Sequence, residues 1–369
     1  MPTRAPESRL SGLVFTDPQA DPAWERSVVP ARAAAELPTS LRSVDVQVAG
    51  AGTTWDLEAW RAETHTLALV LVQDGTVVHE WYADGLDAST TFLGASMSKS
   101  ALAHLVGRAV RSGALDVDDE VTAHVPELAG SGYAGVRVRD LLTMTSGVDW
   151  VEDHRDPESL ASRLLGSFLD GGDSRGLLSL VGAGTAPGTH YAYCTADSQV
   201  LDWVRERATG RAFADELTTL WAELGCTSDA YVGVDGAGVA LAGGAVTATA
   251  RDWARLGMLA AERSEWADAA ARPAHPFLAP GRLPSSLTAH AGFGYHWWPL
   301  DTAGRRVVAD GSRGQFTAVD RETGAVVVKT SLWPYDDAWA DRHFRDLSYL
   351  GLHTLLDALD PPHEERHRP

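Results

Sequence analysis

The hydrophobic pattern predicts β-strands near both ends of the chain. Residues 66–72 form an apolar run, Asp74-Gly75 supplies a hairpin turn, and residues 76–82 return as a second strand. Four more strands are predicted over residues 294–300, 306–309, 315–319 and 325–330, and the last two are joined through Glu322-Thr323-Gly324. A final amphipathic helix is predicted over residues 343–359, and Pro361-Pro362 ends it.

The middle of the chain has a helical pattern. Apolar residues recur at helical spacing over residues 96–112, and Gly113 provides a helix stop. Short helices then alternate with loops from residue 118 to about residue 236, with hardly a strand among them. One of these helices is predicted over residues 197–208.

This arrangement predicts an α+β protein with one antiparallel sheet built from both ends of the chain and covered by helices. We expect an irregular arm over residues 1–40, a discontinuous sheet domain over 41–125 and 240–369, and an all-α subdomain over 126–239. The active site is expected in a cleft where the sheet domain and the subdomain meet, because such clefts favour ligand binding.

Composition excludes several classes of partner. The net charge of -19 is spread along the chain, which argues against nucleic acid and anionic membranes as partners. The first 13 residues contain no apolar run of signal-peptide length, and no segment has the roughly 20 apolar residues of a membrane helix. The two cysteines, Cys194 and Cys226, are too few for a disulfide framework, so a cytoplasmic location is the simplest expectation.

The first candidate for chemistry is Ser96-Met97-Ser98-Lys99 at the start of the long predicted helix. Residues three apart share a helix face, so the Lys99 amine can approach the Ser96 hydroxyl. A serine needs such a base to become a nucleophile, and a lysine can serve when burial keeps its amine partly neutral. The alternative is a helix-capping serine beside a surface lysine.

Two further segments are candidates for the same site. Tyr193 follows a loop-like stretch and could share protons with Lys99 and Ser96, or it could be an aromatic anchor. Residues 311–315 lie between two strand signals, where the backbone N–H of Gln315 could join that of Ser96 as an oxyanion donor. Gly314 would allow close approach of the substrate; the alternative for this segment is a simple glycine-rich hairpin.

Three motifs in this order resemble the signatures of the penicillin-recognising serine hydrolases: Ser96-x-x-Lys99, Tyr193-x-Thr195 and Ser312-Arg313-Gly314. The class C β-lactamase-like esterases and peptidases fit best, and the likeness covers roughly residues 65–358. The resemblance implies a β-lactamase/transpeptidase-like fold. It also implies Ser96 as nucleophile, Lys99 as base and Tyr193 as proton partner.

Within that family the chain is most similar to the 6-aminohexanoate-dimer hydrolases, which cleave short nylon oligomers and act as carboxylesterases. That branch usually has a tyrosine where this chain has His154, so His154 is a candidate substrate contact and ester hydrolysis is favoured over cleavage of the nylon dimer. Thr195 replaces the more usual asparagine of the second signature. Ser312 replaces the usual lysine or histidine of the third, and Arg313 is a candidate substitute for that lost contact. Efficient β-lactam turnover is therefore not expected.

The sequence predicts a serine hydrolase that cleaves esters or amides of small molecules through an acyl-enzyme, without a cofactor or metal. The alternatives are a hydrolase of linear 6-aminohexanoate amides or D-amino-acid peptides, and a binding or sensor protein of the same fold. A homodimer is left open. The zinc-like pattern His363-Glu364-Glu365-Arg366-His367 lies in a polar tail and is set aside, and Lys329-Thr330-Ser331 is a weaker candidate for the third signature.

Overall fold

A computed structural model describes residues 12–21, 24–50, 52–274, 290–334 and 342–360. The chain divides into two units. The first holds the described parts of Met1–Ala34 together with Thr91–Ala248 and Phe293–His296. The second holds the described parts of Ala35–Thr90, Thr249–Gly292 and Trp297–Pro369. The zinc-like pattern at residues 363–367 lies outside the described residues.

The strands of the described residues are β1 (Arg26–Val29), β2 (Gln47–Gly50), β3 (Thr53–Asp56), β4 (Thr66–Gln73), β5 (Thr76–Tyr82), β6 (Thr91–Leu93), β7 (Val148–Asp149), β8 (Gly182–Ala183), β9 (Ala230–Gly233), β10 (Val246–Thr249), β11 (Trp298–Pro299), β12 (Arg306–Gly311), β13 (Gln315–Asp320) and β14 (Ala325–Ser331).

The α-helices of the described residues are α1 (Leu57–Glu63), α2 (Ser98–Arg111), α3 (Val121–His124), α4 (Val138–Leu142), α5 (Leu160–Leu169), α6 (Ser174–Leu178), α7 (Thr195–Thr209), α8 (Phe213–Glu223), α9 (Ala250–Ala261), α10 (Glu265–Ala271) and α11 (Arg342–Leu359). None of the helices that the structure describes is long and apolar enough to cross a bilayer.

The second unit is built on an antiparallel sheet with strand order β11-β12-β13-β14-β4-β5. Strand β14 comes from the end of the chain and pairs with β4 from its beginning, with Val327 opposite Leu71. All seven residues of β14 are buried, because helices α9 and α11 pack against it. Gly257 of α9 allows close approach, since a Cβ there would lie 2.7 Å from Thr317 Cγ2 and 2.8 Å from Val326 Cγ1. The predicted antiparallel sheet with strands from both ends of the chain is confirmed.

The first unit differs from the sequence prediction, because it contains a four-stranded sheet with the order β1-β9-β10-β6. Strand β9 lies within the segment predicted to be all-α, and β1 lies within the arm predicted to be irregular. Each has only four residues, and β1 gains its hydrogen bonds from β9, some 200 residues along the chain. Such short strands depend on distant partners, so local periodicity did not reveal them. The structure also assigns α2 to the first unit, whereas the prediction placed it with the sheet domain.

Lys329 in β14 is a basic residue whose side chain is fully buried. Its Nζ donates to Ser331 Oγ and, at 3.4 Å, to Thr64 O. Burial lowers the pKa of Lys329 well below its usual value. Three aromatic rings have centroids 5.5 to 6.0 Å from Nζ: Trp60, Phe316 and Trp333. This environment is that of a core residue in the second unit.

We expect Lys329→Met to raise the free energy of unfolding near neutral pH by about 1 kcal/mol, because methionine has similar length and no amine to desolvate. The unfolded chain binds a proton on Lys329 below the ordinary pKa of 10.5, whereas the folded chain binds it only at lower pH. The lysine therefore destabilises the fold increasingly as the pH falls below 10.5. Urea unfolding of the wild type and Lys329→Met, from near neutral pH up to the ordinary lysine pKa, measures the difference in the free energy of unfolding. A gain that does not change with pH would contradict this explanation.

Candidate active site

Ser96 lies in a one-turn 3₁₀ segment, Ala95–Met97, between strand β6 and helix α2. The residue before it, Ala95, has a φ of 45°, a left-handed conformation that is unfavourable for alanine. Two hydrogen bonds of 2.9 Å hold this turn to β10: Gly94 N donates to Val246 O, and Val246 N donates to Ser98 Oγ. The predicted helix is thus confirmed, but Ser96 precedes its α-helical part.

Lys99 Nζ has three oxygen neighbours within hydrogen-bonding distance. They are Ser96 Oγ at 3.1 Å, Thr195 Oγ1 at 3.2 Å and Gly243 O at 2.8 Å. Only 3% of Lys99 is exposed. Gly243 allows this carbonyl to approach, because a Cβ at this position would lie 2.8 Å from Ser198 Cβ. The i, i+3 approach of lysine to serine predicted from the sequence is present in the structure.

The electrostatics of Lys99 favour a base that is partly neutral. Burial lowers the pKa of Lys99 to about 8, although the nearby negative charge of Glu152 acts in the opposite direction. A neutral amine is what Lys99 needs in order to accept the Ser96 proton. Near neutral pH a useful fraction of the enzyme therefore holds the competent form.

We expect kcat/KM to fall on the acid side of about pH 8, since the group that must lose its proton in the free enzyme is Lys99. The decrease should approach about tenfold for each pH unit, because protonated Lys99 cannot act as a base. The dependence of kcat/KM on pH, measured with an ester that does not itself ionise, tests this decrease. A flat profile between about pH 6 and pH 9 would contradict the assignment of Lys99 as base.

Glu152 is the main site residue that sequence reasoning missed. Its carboxylate accepts four hydrogen bonds: Thr195 Oγ1 at 2.6 Å, Trp150 Nε1 at 2.7 Å, Thr195 N at 2.9 Å and His154 Nε2 at 3.1 Å. Burial raises the pKa of Glu152, but His154, Lys99 and Thr195 more than offset burial and hold it at about 2. Glu152 is therefore an ionised carboxylate that joins the predicted site residue His154 to Thr195 and, through it, to Lys99.

Tyr193 lies two residues before α7, on the same stretch as Thr195. The centroid of its ring is 5.1 Å from Lys99 Nζ, so the aromatic face contacts the amine. This position brings the predicted proton partner to the Ser96–Lys99 pair. The proton-transfer role of its hydroxyl stays a prediction from the sequence.

His296 is a second residue that sequence reasoning did not select. Burial and the charge of Lys99 lower the pKa of His296 to about 3, so its imidazole is neutral. Nδ1 lies 3.0 Å from Leu142 O and must donate to it, which leaves Nε2 to accept from Ser198 Oγ at 3.0 Å. Ser100 Oγ donates to His296 O at 2.7 Å. His296 therefore connects α2, α4 and α7 beneath the Lys99 side chain, in a structural role.

The residues of the predicted third signature belong to the second unit. Gly314 has a φ of 91°, and a Cβ there would lie 2.5 Å from the Trp333 ring, so glycine is required. Arg313 Nε donates to Trp333 O at 2.9 Å, and Gln315 Nε2 donates to Ser331 O at 2.6 Å. Gln315 opens β13, as the pattern predicted. The substrate and oxyanion roles of Ser312, Arg313, Gly314 and Gln315 stay predictions.

A serine beside a buried, partly neutral lysine, within an α+β fold, defines a serine hydrolase. The Beta-lactamase family model matches residues 53–349. The 6-aminohexanoate-dimer hydrolase of Paenarthrobacter ureafaciens is 32% identical over 329 residues, which cover 83% of this chain and 81% of that protein. The chain belongs to the Beta-lactamase family, and it is a serine hydrolase that acts on amide or ester bonds. The family resemblance predicted from the three motifs is confirmed.

Solved structures support the fold. A presumed 6-aminohexanoate-dimer hydrolase from Bacillus anthracis has a TM-score of 0.74 at 20% identity, covering 94% of this chain and 92% of that one. A class C β-lactamase in complex with cefoxitin has a TM-score of 0.56 at 15% identity, covering 80% and 96%. At these identities the likeness shows the fold alone, and it confirms the predicted β-lactamase/transpeptidase-like class.

Proposed function

We propose that this chain is an esterase and amidase of small substrates in which Ser96 is the nucleophile and Lys99 the general base. The observation that carries the proposal is the 3.1 Å distance between Lys99 Nζ and Ser96 Oγ, in surroundings that hold the pKa of Lys99 at about 8. Both residues belong to one unit of the fold: Ser96 lies in the 3₁₀ turn just before α2, and Lys99 lies in the first turn of α2.

The chemistry proceeds in two halves. In acylation, the Ser96 proton moves to Lys99 while Oγ forms a bond to the substrate carbonyl carbon. The resulting oxyanion accepts hydrogen bonds from backbone N–H groups, for which Ser96 and Gln315 are the predicted donors. The leaving group departs with the proton from Lys99, passed through Tyr193. In deacylation, water gives a proton to Lys99 and attacks the acyl carbon, and the Ser96–carbon bond breaks as the proton returns to Oγ.

Esters are the proposed first substrate class. An ester has the better leaving group, and this chain has His154 where the nylon-oligomer branch has a tyrosine. The relative from Paenarthrobacter ureafaciens is a 6-aminohexanoate-dimer hydrolase, so short linear amides are the second candidate class. D-amino-acid amides are a third, from the wider family resemblance.

A substrate panel tests this order. We propose to compare kcat/KM for p-nitrophenyl butyrate, the 6-aminohexanoate dimer and D-alanine amide at one pH, with Ser96→Ala as the control for background hydrolysis. We expect the ester to have the largest kcat/KM of the three substrates. A larger kcat/KM for either amide would reverse the order and assign the chain as an amide hydrolase.

A sensor that is acylated but not turned over is the proposal from a different class. A stable adduct with each substrate, without product release beyond one equivalent, would favour it. We also propose a cytoplasmic location, because the two cysteines of the sequence, Cys194 and Cys226, are too few for a disulfide framework. A homodimer is a further proposal, which light scattering would test.

A further inference from the structure

The carboxylate of Glu152 has hydrogen-bond donors on both oxygens. Oε2 faces the Trp150 indole N–H at 2.7 Å and the Thr195 backbone N–H at 2.9 Å, which are donors only. Oε1 faces Thr195 Oγ1 at 2.6 Å and His154 Nε2 at 3.1 Å. Only 15% of the Glu152 side chain is exposed. A half-buried carboxylate with donors on both oxygens has a fixed orientation.

This arrangement fixes the direction of the Thr195 hydroxyl. The hydroxyl has one proton, and an ionised carboxylate can only accept, so Thr195 gives that proton to Glu152. Towards Lys99 Nζ, 3.2 Å away, the same oxygen can then act only as an acceptor.

The direction of the hydroxyl determines where the Lys99 lone pair points. A neutral amine has two N–H groups and one lone pair. Two of the neighbours of Nζ, Thr195 Oγ1 and Gly243 O, are acceptors and take both N–H groups. The lone pair is left for the third neighbour, the Ser96 hydroxyl at 3.1 Å.

We propose that Glu152 is a positioning residue: by taking the Thr195 hydroxyl proton, it makes Thr195 an acceptor for Lys99 and directs the Lys99 lone pair at Ser96. This inference rests on the proposed function, because it assigns Glu152 to the activation of the same serine. In this role Glu152 acts on Ser96 through Thr195 and Lys99.

The consequence for Glu152→Gln is specific. The obligatory donors of Trp150 and Thr195 N require the glutamine oxygen at the Oε2 position, so its NH₂ group must occupy the Oε1 position. The Thr195 hydroxyl then accepts from glutamine, and its own proton turns towards Lys99. There it competes with Ser96 for the lone pair, so the base is engaged in an unproductive hydrogen bond.

Two measurements separate this role from a charge effect. The chain has only two lysines, Lys99 and Lys329, so ¹³Cε-lysine labelling gives two NMR signals, which Lys329→Met assigns. The Lys99 signal should titrate at lower pH in Glu152→Gln, because an opposite charge is lost. The rate of Ser96 phosphonylation by a fluorophosphonate should nevertheless fall by about 10- to 100-fold across the pH range. A lower pKa alone would leave more neutral Lys99 and speed the reaction near neutral pH.

Matched variants complete the test. Glu158→Gln changes an exposed carboxylate of the same loop and should label like the wild type. Thr195→Ser keeps the hydroxyl and should retain most of the rate, whereas Thr195→Val should lose about as much as Glu152→Gln. The double variant Glu152→Gln/Thr195→Val should be phosphonylated no more slowly than Thr195→Val alone, because Glu152 acts only through Thr195.

The contradicting outcomes are distinct. Phosphonylation of Glu152→Gln at the wild-type rate or faster would overturn the positioning role, as would equal rates for Thr195→Ser and Thr195→Val. The threonine pair decides the question if Glu152→Gln does not fold. Failure of the wild-type chain to label at Ser96 would instead contradict the proposed function itself.

Discussion

Ser96→Ala is expected to lower kcat/KM for p-nitrophenyl butyrate by about four orders of magnitude or more, as removal of other serine nucleophiles does. The alanine cannot form the acyl-enzyme, and Lys99, 3.1 Å from the lost oxygen, has no group to deprotonate. The fold should be unaffected, because Ser96 is half-buried and the bonds that hold the turn come from Gly94 and Ser98.

Steady-state kinetics of purified Ser96→Ala, with Ser112→Ala as control, measures this loss. Ser112 lies just past the other end of α2 and is exposed, so its replacement should leave kcat/KM unchanged. If Ser96→Ala kept more than a small percentage of the activity, another residue would have to be the nucleophile.

Lys99→Met is expected to lower kcat/KM by about 10³-fold, within the range that general bases contribute. Methionine fills a similar volume but cannot accept the Ser96 proton. Lys99→Arg should be equally inactive, although it keeps a positive charge and hydrogen-bond donors, because a guanidinium does not lose its proton at accessible pH. The two variants together distinguish a base from a cation that merely attracts the oxyanion.

The measurement is kcat/KM of both variants over the pH range in which the wild-type value decreases. Neither variant should show the decrease below about pH 8 that Lys99 causes in the wild type. Retention of more than about a tenth of the activity by Lys99→Arg would show that charge suffices, and it would contradict the proposed mechanism.

The sequence could predict features that depend on near neighbours. Ser96 and Lys99 are three residues apart, so the helical pattern alone brought their side chains together. The hairpin of β4 and β5 was predicted by an apolar run, a turn through Asp74-Gly75 and a second run, and its bounds are confirmed within a residue. The closing helix α11 was predicted in the same way from its amphipathic pattern.

Features that depend on distant segments could not be predicted in this way. Glu152 reaches Thr195 across 43 residues, and its role depends on which protons its neighbours can give. His296 reaches Ser198 across 98 residues. The sheet of the first unit joins short strands from near residues 26, 91, 230 and 246. None of these strands is long enough to show a clear alternation of hydrophobic and polar residues. Motif resemblance supplied the Tyr193 position, which spacing alone did not determine.

Intact-protein mass spectrometry after a short incubation with a fluorophosphonate, comparing the wild type with Ser96→Ala, tests directly whether Ser96 is the activated nucleophile. We expect a single phosphonyl adduct on the wild type and none on the variant. An adduct that persists in Ser96→Ala, or a wild-type chain that takes none, would contradict the assignment of Ser96 as the activated nucleophile.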